Sequence, residues 1–478
     1  MPNNLLETIL NIPEESQEIE FKRLGEEAVV KKTVETVVAM ANAFGGVIVL
    51  GIDDPEKTKL KGKARIFGIN ENKDAYDAIG RELMKVIPPV AGVWPPQIIR
   101  DEEIGLEIAI LRVPKATDGF HSINNNVFVR ELKSNRRLSV HEITPFEYAK
   151  GFKKADRELV EVDFSLLNTS AYLDWKGSRN LSGEIKDILE RTGLAKNDAT
   201  GELRPTRAAV LLFAEFPTNL LDTKCAIRIL HYRGTIETIG EVPNFTGNQK
   251  IVNGPLINQI KEASEYVLTL LRSGIKMPET GFVTKYVIPE RAIKEAITNA
   301  VIHRDYFIKR DVEIKIFEDR VEIENPGLFP YNITPANIGY VRSDGFRNDL
   351  IVKCLREFSA PPNLDQSEGV RAMRSEMNAQ NLYPPIFFTY PHLKDAIRVV
   401  LLNELRQTEW DKVSSYLKEN KYLSNEIARD ITGIAQRDVM SRILNKWSLQ
   451  GLLIKIIPSS GYMRGTKYRL PDTSEIIG

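Results

Sequence analysis

The sequence predicts a multidomain protein that combines α/β and α+β folds. Three observations carry that prediction. The chain's 478 residues exceed one ordinary domain. Strand-like and helix-like hydrophobic periods alternate through residues 1–405. From residue 410 onward the order becomes helix, helix, helix and a strand pair around a Gly/Ser turn.

The elements follow in order. Ile19 and Phe21 alternate with charged residues, as in a half-buried strand. Val30, Val34, Val37, Val38 and Ala41 recur at helical spacing, and Gly45-Gly46 ends that helix. A buried strand follows over 47–52, with further strands expected over 106–113 and 127–130. These make up a first domain, 1–150. Residues 151–177, polar and aromatic with the run Lys153-Lys154-Ala155-Asp156-Arg157, are expected as a linker. A second α/β region spans 178–405, with buried strands expected at 208–213 and 226–231. Within it 289–304 is a helix whose apolar stripe is Ile293, Ala296, Ile297 and Ala300. Strands at 312–317 and 321–324 follow. Residues 406–478 form the last domain. Val413, Tyr416 and Leu417 are the core face of its first helix, 425–431 is its second, and 436–447 its third, with Val439, Ile443 and Trp447 inward. A hairpin of 451–457 and 467–470 closes it. That order predicts a winged helix-turn-helix.

Composition narrows the function classes. Hydrophobic residues at 42% and charged residues at 27% describe a packed globular chain. Lys+Arg and Asp+Glu both total 65, so any basic surface for nucleic acid is local. Two cysteines, Cys225 and Cys354, exclude a disulfide framework or cysteine-rich zinc site and are expected as buried thiols. The N-terminus lacks a basic then apolar leader, and no apolar run approaches the ~20 residues of a membrane span. A cytoplasmic protein with no membrane partner is expected.

Glu15, Glu18, Glu20 and Lys22 crowd the first strand, and Asp53-Asp54 close the next one. Residues two apart on a strand share a face, so Glu20 and Lys22 point one way and Phe21 the other. Glu15 must reach that face from the preceding turn. Carboxylates gathered in this way suit a hard divalent cation, Mg²⁺ or Mn²⁺, which activates water and steadies charge on a phosphate, with Lys22 neutralising the rest. Solvated charges on a strand face are the alternative.

The run Glu15-Ser16-Gln17-Glu18-Ile19-Glu20-Phe21-Lys22 is followed by Ala41-Asn42-Ala43-Phe44-Gly45-Gly46-Val47-Ile48-Val49-Leu50-Gly51-Ile52-Asp53-Asp54. Together with Phe128-Val129-Arg130, this sequence resembles the Schlafen-like AlbA domain over roughly the first 145 residues. The resemblance implies a ribonuclease triad at Glu15, Glu20 and Asp54, with Asp53 as the alternative alignment, and makes Arg130 a candidate nucleic-acid contact. His121 sits in the loop before that strand, placed either to touch phosphate or to hydrogen-bond within the loop. Many bacterial members with such a domain are described as transcriptional regulators, so the acids alone do not fix an activity.

Glu295, Asn299 and His303 are four residues apart and line one edge of the 289–304 helix. A carboxylate and an amide one turn apart suit water activation and Mg²⁺ binding at a phosphate. Glu295-x-x-x-Asn299-Ala300, then His303-Arg304-Asp305-Tyr306, Asn325-Pro326-Gly327 and Phe346-Arg347-Asn348, resemble the divergent GHKL-type ATPase module found downstream of AlbA domains. The resemblance implies a GHKL-like α/β sandwich that takes ATP. Glu295 would polarise water, Asn299 would hold Mg²⁺, and Gly327 would let the backbone approach adenine. Asn325 replaces the usual adenine-reading aspartate, and the lid is reduced to Ser367-Glu368-Gly369-Val370, with Gly369 its single glycine.

From Arg437 to Arg469 seven basic residues stand against one acid, a local net of +6. Phosphate contacts by Arg437, Arg442, Lys446, Arg464 and Lys467 account for that bias; protein binding is the alternative. The expectation is a metal-dependent Schlafen-like nuclease regulated by ATP, acting on DNA or RNA, with RNA cleavage in phage defence as its setting. A non-catalytic DNA-binding regulator and a conformational ATPase are the competing readings. A homo-oligomer is expected by analogy with modules of these kinds.

Overall fold

The computed structural model describes residues 2–26, 28–221, 223–238, 244, 246–247, 249–273, 288–329, 333–335, 337–341, 347–362, 369–389, 392–456 and 466–471. Two compact units meet in sequence between Tyr148 and Ala149.

The first unit runs α1 (Pro2–Leu10), β1 (Ile19–Lys22), α2 (Val29–Asn42), β2 (Gly46–Leu50), α3 (Lys73–Leu83), β3 (Gln97–Arg100), β4 (Glu107–Val113), β5 (Phe128–Glu131), β6 (Ser134–Arg137) and α4 (Val140–Lys150). Its sheet has the order β1-β2-β4-β3, with β1 parallel to β2 and the other pairs antiparallel. The unbroken apolar run of β2 is explained by burial on both faces. Ile48 and Leu50 pack with Val34, Val37 and Val38 of α2, while Val47 and Val49 pack with Ile19, Phe21 and Ile9. Gly45 sits at φ +79, and a Cβ there would lie 2.7 Å from the Val113 carbonyl, so the turn from α2 into β2 needs glycine.

The second unit opens with α5 (Ser170–Ser178), α6 (Ile185–Arg191), β7 (Ala195–Asn197), β8 (Leu203–Pro205), α7 (Arg207–Phe213) and α8 (Pro217–Leu220). Its main sheet uses β9 (Ile227–His231), β10 (Lys250–Val252), β11 (Val312–Ile316), β12 (Arg320–Pro326), β13 (Ile386–Phe388) and β14 (Ala396–Leu402). The order is β10-β9-β11-β12-β14-β13, parallel only at β9–β11. Helices α9 (Leu256–Ser273), α10 (Glu290–His303), α11 (Asp349–Leu355) and α12 (Gly369–Ala379) belong to the same unit. Ile227, Ile229, Ile314 and Ile323 are buried. Residues that alternate with them carry cross-strand ion pairs, Arg228 with Glu313 and Arg398 with Glu324, so that face is partly solvated.

The unit ends with α13 (Thr408–Glu419), β15 (Leu423–Ser424), α14 (Asn425–Thr432), α15 (Arg437–Leu449), β16 (Ile454–Ile456) and β17 (Lys467–Arg469), the strands ordered β15-β17-β16. Gly433, at φ +81, ends α14. The core of these helices is Trp410, Val413, Met440, Leu444 and Trp447, and it is continuous with Tyr383, Ile386, Val400 and Leu402 from the main sheet region.

Several expectations change. Residues 208–213 are helical, not a strand. Thr206 caps α7 by accepting the Ala209 N–H at 3.3 Å, and Ala208 to Phe213 are all buried, so no period separates helix from strand. Residues 151–177 are not a free linker, because Trp175 is fully buried and packs on Phe213 with ring centroids 5.1 Å apart. The inward face of α15 is Met440, Leu444 and Trp447, with Ile443 only partly buried. Cys225 and Cys354 are free and buried as expected. Among the described residues no helix is long and apolar enough to cross a membrane.

Candidate functional site

The acidic cluster forms where β1 lies beside β2. Glu15 reaches β1 from the turn before it, its Oε1 accepting the Phe21 N–H at 2.9 Å. Asp54 lies just beyond β2, with Oδ1 accepting the Glu56 N–H at 3.0 Å. Both are buried, as is Glu20. Burial, then the charge of Glu20, pushes the Glu15 carboxyl above its ordinary value. Burial works the same way on Asp54, but hydrogen bonds from Lys57, the Glu56 N–H and the Glu15 carboxyl hold it below. Glu15 therefore keeps its proton longer while Asp54 stays ionised. Lys57, 72% exposed, lies 2.8 Å from Asp54 and 3.6 Å from Glu15 and covers the pair.

Glu20 has different company. Its Oε1 receives Lys22 and its Oε2 receives the buried Arg130 guanidinium. Arg130 also donates to the Ser16 carbonyl at 3.1 Å and to Asn135 at 3.0 Å. A guanidinium so enclosed neutralises Glu20 and is not exposed to nucleic acid, which corrects the expectation for Arg130. Asp53 turns aside, its carboxylate 3.9 Å from Arg23 and its carbonyl receiving Arg65 at 2.8 Å. Of the two alignments, it is Asp54 that stands beside Glu15. Among the described residues no group of three or more His, Cys, Asp or Glu side chains is arranged to hold a metal ion. As held here, with Glu20 given to two cations, the donor set does not fit a divalent ion. His121 Nδ1 lies 2.7 Å from the Pro88 carbonyl, and Asn42 ties its backbone to β5, so it serves its loop.

In the second unit Glu295 is buried on α10 and Asn299 Nδ2 donates to its Oε1 at 3.3 Å. Gly369, the first residue of α12, sits directly on this pair. A Cβ there would come within 1.9 Å of Glu295 Oε1 and 3.2 Å of Asn299 Nδ2. His303 ends α10; burial, then Arg347, pulls its imidazole down to about 4, so it is neutral at pH 7. Asn325 on β12 buries an Oδ1 that finds no hydrogen-bond partner among the described residues. Gly327 does not fit its expected role. At φ +118, the space a Cβ would take is filled by Asp305 at 3.0 Å and Arg347 at 3.4 Å. The close approach is internal, built from the Arg347–Asp305 ion pair at 2.8 Å and from Asn348, which donates to the carbonyls of Ile302 and Arg304. Phe346, Ser367 and Glu368 lie outside the described residues.

On α15, Arg437 and Arg442 are exposed and make no ion pair among the described residues. Lys446 pairs with Glu404, and the exposed Lys467 lies 5.3 Å from the Tyr422 ring centroid. Arg464 lies outside the described residues.

Residues 15–139 match the family model described as Schlafen, AlbA_2. The first unit carries a Schlafen AlbA_2 domain. Residues 309–401 match the model described as "Putative ATP-dependent DNA helicase recG C-terminal". The chain is 17% identical to the DIP2311 protein from Corynebacterium diphtheriae, with a TM-score of 0.40, covering 95% of this chain and 79% of that one. No curated protein matches the chain.

All the acids of the predicted cluster fall inside the AlbA_2 match, and so does Lys57, which the sequence reading missed. The signal was available: Lys57 follows Asp54 by three residues, the spacing of their ion pair. The ATPase-like match begins after α10, so Glu295, Asn299 and His303 lie outside it, while Asn325, Gly327 and Gly369 lie inside.

Proposed function

We propose that this protein acts on nucleic acid under the control of a bound nucleotide, and that the AlbA_2 acidic cluster is a nuclease centre of the Schlafen kind, cutting RNA in a defence response. The supporting observation is the convergence of Glu15, Glu20 and Asp54, all buried and close enough for Glu20 and Asp54 to raise the Glu15 carboxyl. Burying three acids together opposes folding, and perturbed carboxyls of this kind concentrate at working sites. Glu15 would carry a proton beside an ionised Asp54, and Lys57 would screen both from solvent. With Glu20 held by Lys22 and Arg130 the donor set as arranged does not fit a divalent ion, so cleavage should not require one. For the nucleotide, Asn325 Oδ1 would accept from adenine, while Glu295 and Asn299 would face the phosphates once Gly369 moves off them. ATP supplies phosphate binding energy there for a change of shape. The basic last segment, 406–478, supports a winged helix that holds the nucleic acid through Arg437, Arg442 and Lys467, in a cytoplasmic homo-oligomer.

The test is cleavage of labelled tRNA, single-stranded RNA and duplex DNA, with and without Mn²⁺ or Mg²⁺ and ATP, beside Glu20→Ala. Cleavage that disappears in the variant is expected. The second reading, a DNA-binding transcriptional regulator, is favoured by the engagement of Glu20 with Arg130 and Lys22. Duplex binding with every substrate left intact would replace the nuclease by that regulator.

A further inference from the structure

Helix α15 buries one face and leaves the other uncovered. Met440, Leu444 and Trp447 point into the core, and Trp447 Nε1 donates to the Tyr383 hydroxyl at 3.2 Å, so the helix is held firmly. On the other side Arg437, Asp438, Arg442 and Asn445 are exposed. Neither Arg437 nor Arg442 is tied down by an ion pair among the described residues. Strand β16 brings Lys455 to the same face, its Nζ donating to Asn445 Oδ1 at 3.0 Å. Lys446 is neutralised by Glu404. The uncovered face therefore carries Arg437, Arg442 and Lys455 against a single acid, Asp438.

The spacing narrows what this face fits. At 3.6 residues per turn, Arg437 and Arg442 lie about 140° apart around the helix and about 7.5 Å apart along it. One arginine leans to each side, and Asp438, Ser441 and Asn445 occupy the arc between them. Ser441 Oγ accepts from Asn425 Nδ2 of α14 at 3.0 Å, which fastens that arc to the neighbouring helix. A polar arc flanked by two guanidiniums complements a groove walled by two phosphate backbones. A helix about 10–12 Å across enters the major groove of B-form DNA, about 12 Å wide. The major groove of A-form RNA is too narrow for it, and a single strand offers a phosphate backbone to only one flank. We infer that α15 enters the major groove of duplex DNA, with Arg437 and Arg442 on phosphates of opposite strands. Asp438 then faces base edges, where a carboxylate accepts from the cytosine amino group. The inference rests on the reading of the last segment as the holder of nucleic acid and adds the form that it holds. Duplex DNA becomes a second ligand, separate from the RNA assigned to the acidic cluster.

The experiment measures fluorescence anisotropy of the full chain with one sequence prepared as duplex DNA, duplex RNA and single strands, over a series of salt concentrations. Duplex DNA is expected to bind about tenfold tighter than the other forms, the scale of one charge-assisted contact. Each phosphate contact adds about 0.9 to the salt slope on B-form DNA, so Arg437→Gln and Arg442→Gln should each lower it by that much and the double variant by about 1.8. Arg442→Lys, which keeps the charge, should keep the slope. Lys196→Gln removes an exposed cation from β7 and controls for net charge; the slope should not change. Thermal melts keep misfolding separate from lost binding. A duplex-DNA slope that survives the double substitution in a folded protein overturns the inference. So does a loss that falls on single strands instead, which would leave the last segment a nucleic-acid holder but not a groove reader. If no form of nucleic acid responds to the two arginines, the reading beneath the inference fails with it. Cleavage at the acidic cluster is scored separately and bears on neither outcome.

Discussion

Asp156 is fully buried, and its Oδ2 accepts the N–H groups of Leu350 at 2.9 Å and Ile351 at 3.4 Å. Burial, then the neighbouring Asp349, raises its carboxyl to about 6 from an ordinary 3.8. A raised acid stabilises the fold in its protonated form, so its contribution is complete below 3.8 and is lost as pH rises through about 6. On going from about pH 7 to about pH 5 the wild-type chain should gain about 1–1.5 kcal/mol relative to Asp156→Asn. Denaturant melts of both proteins at the two pH values measure it, and parallel pH responses would remove Asp156 as the cause. In the sequence Asp156 sits in a run of charges and is indistinguishable from a solvated residue; its partners lie about two hundred positions away. The acidic cluster was more legible because Glu15, Glu20 and Lys22 are local in sequence. Its neutralisation by Arg130 was not, since that contact spans 110 positions.

At the scale of elements, helix α10 shows that a motif's place in the fold can be legible while the contacts of the segments after it are not. Its boundaries and apolar stripe follow from spacing alone, and Ile293, Ala296, Ile297 and Ala300 are all buried. The segments after it, around Asp305, Gly327 and Arg347-Asn348, resemble nucleotide-site motifs, yet in the fold they fasten one another. Asn348 donates to the carbonyls of Ile302 and Arg304 at 2.9 and 2.7 Å, which satisfies acceptors at the C-terminus of α10. Asn348→Ala is therefore expected to lower stability by about 1–3 kcal/mol, the penalty for buried acceptors left without donors. A urea midpoint unchanged from wild type would show that these bonds contribute nothing. Helix α7 failed in sequence for a different reason. Burial on every side removes the 3.6-residue signal, and only the Thr206 cap marks it as helical.

At the scale of the molecule, the sequence points to four consecutive segments, but packing divides the chain into two units. The difference rests on where apolar side chains find cover. Trp410, Leu444 and Trp447 of the last segment share one core with Tyr383, Val400 and Leu402, and Trp447 Nε1 donates to the Tyr383 hydroxyl at 3.2 Å. Gly451 is pressed so close to Phe388 that a Cβ would lie 2.4 Å from its ring. Periodicity identifies which face of each helix is apolar but not which distant strand covers it. Ending the chain at residue 405 should then do more than delete the proposed nucleic-acid contact, because it strips cover from a buried edge of the main sheet. A protein of residues 1–405 is expected to bind a hydrophobic dye and lose its cooperative melt in the second unit, whereas residues 1–148 alone should melt cooperatively. If 1–405 melts as sharply as the full chain and stays dye-negative, the last segment is an independent domain after all. The shared core at Trp447 would then be a contact between separately stable parts.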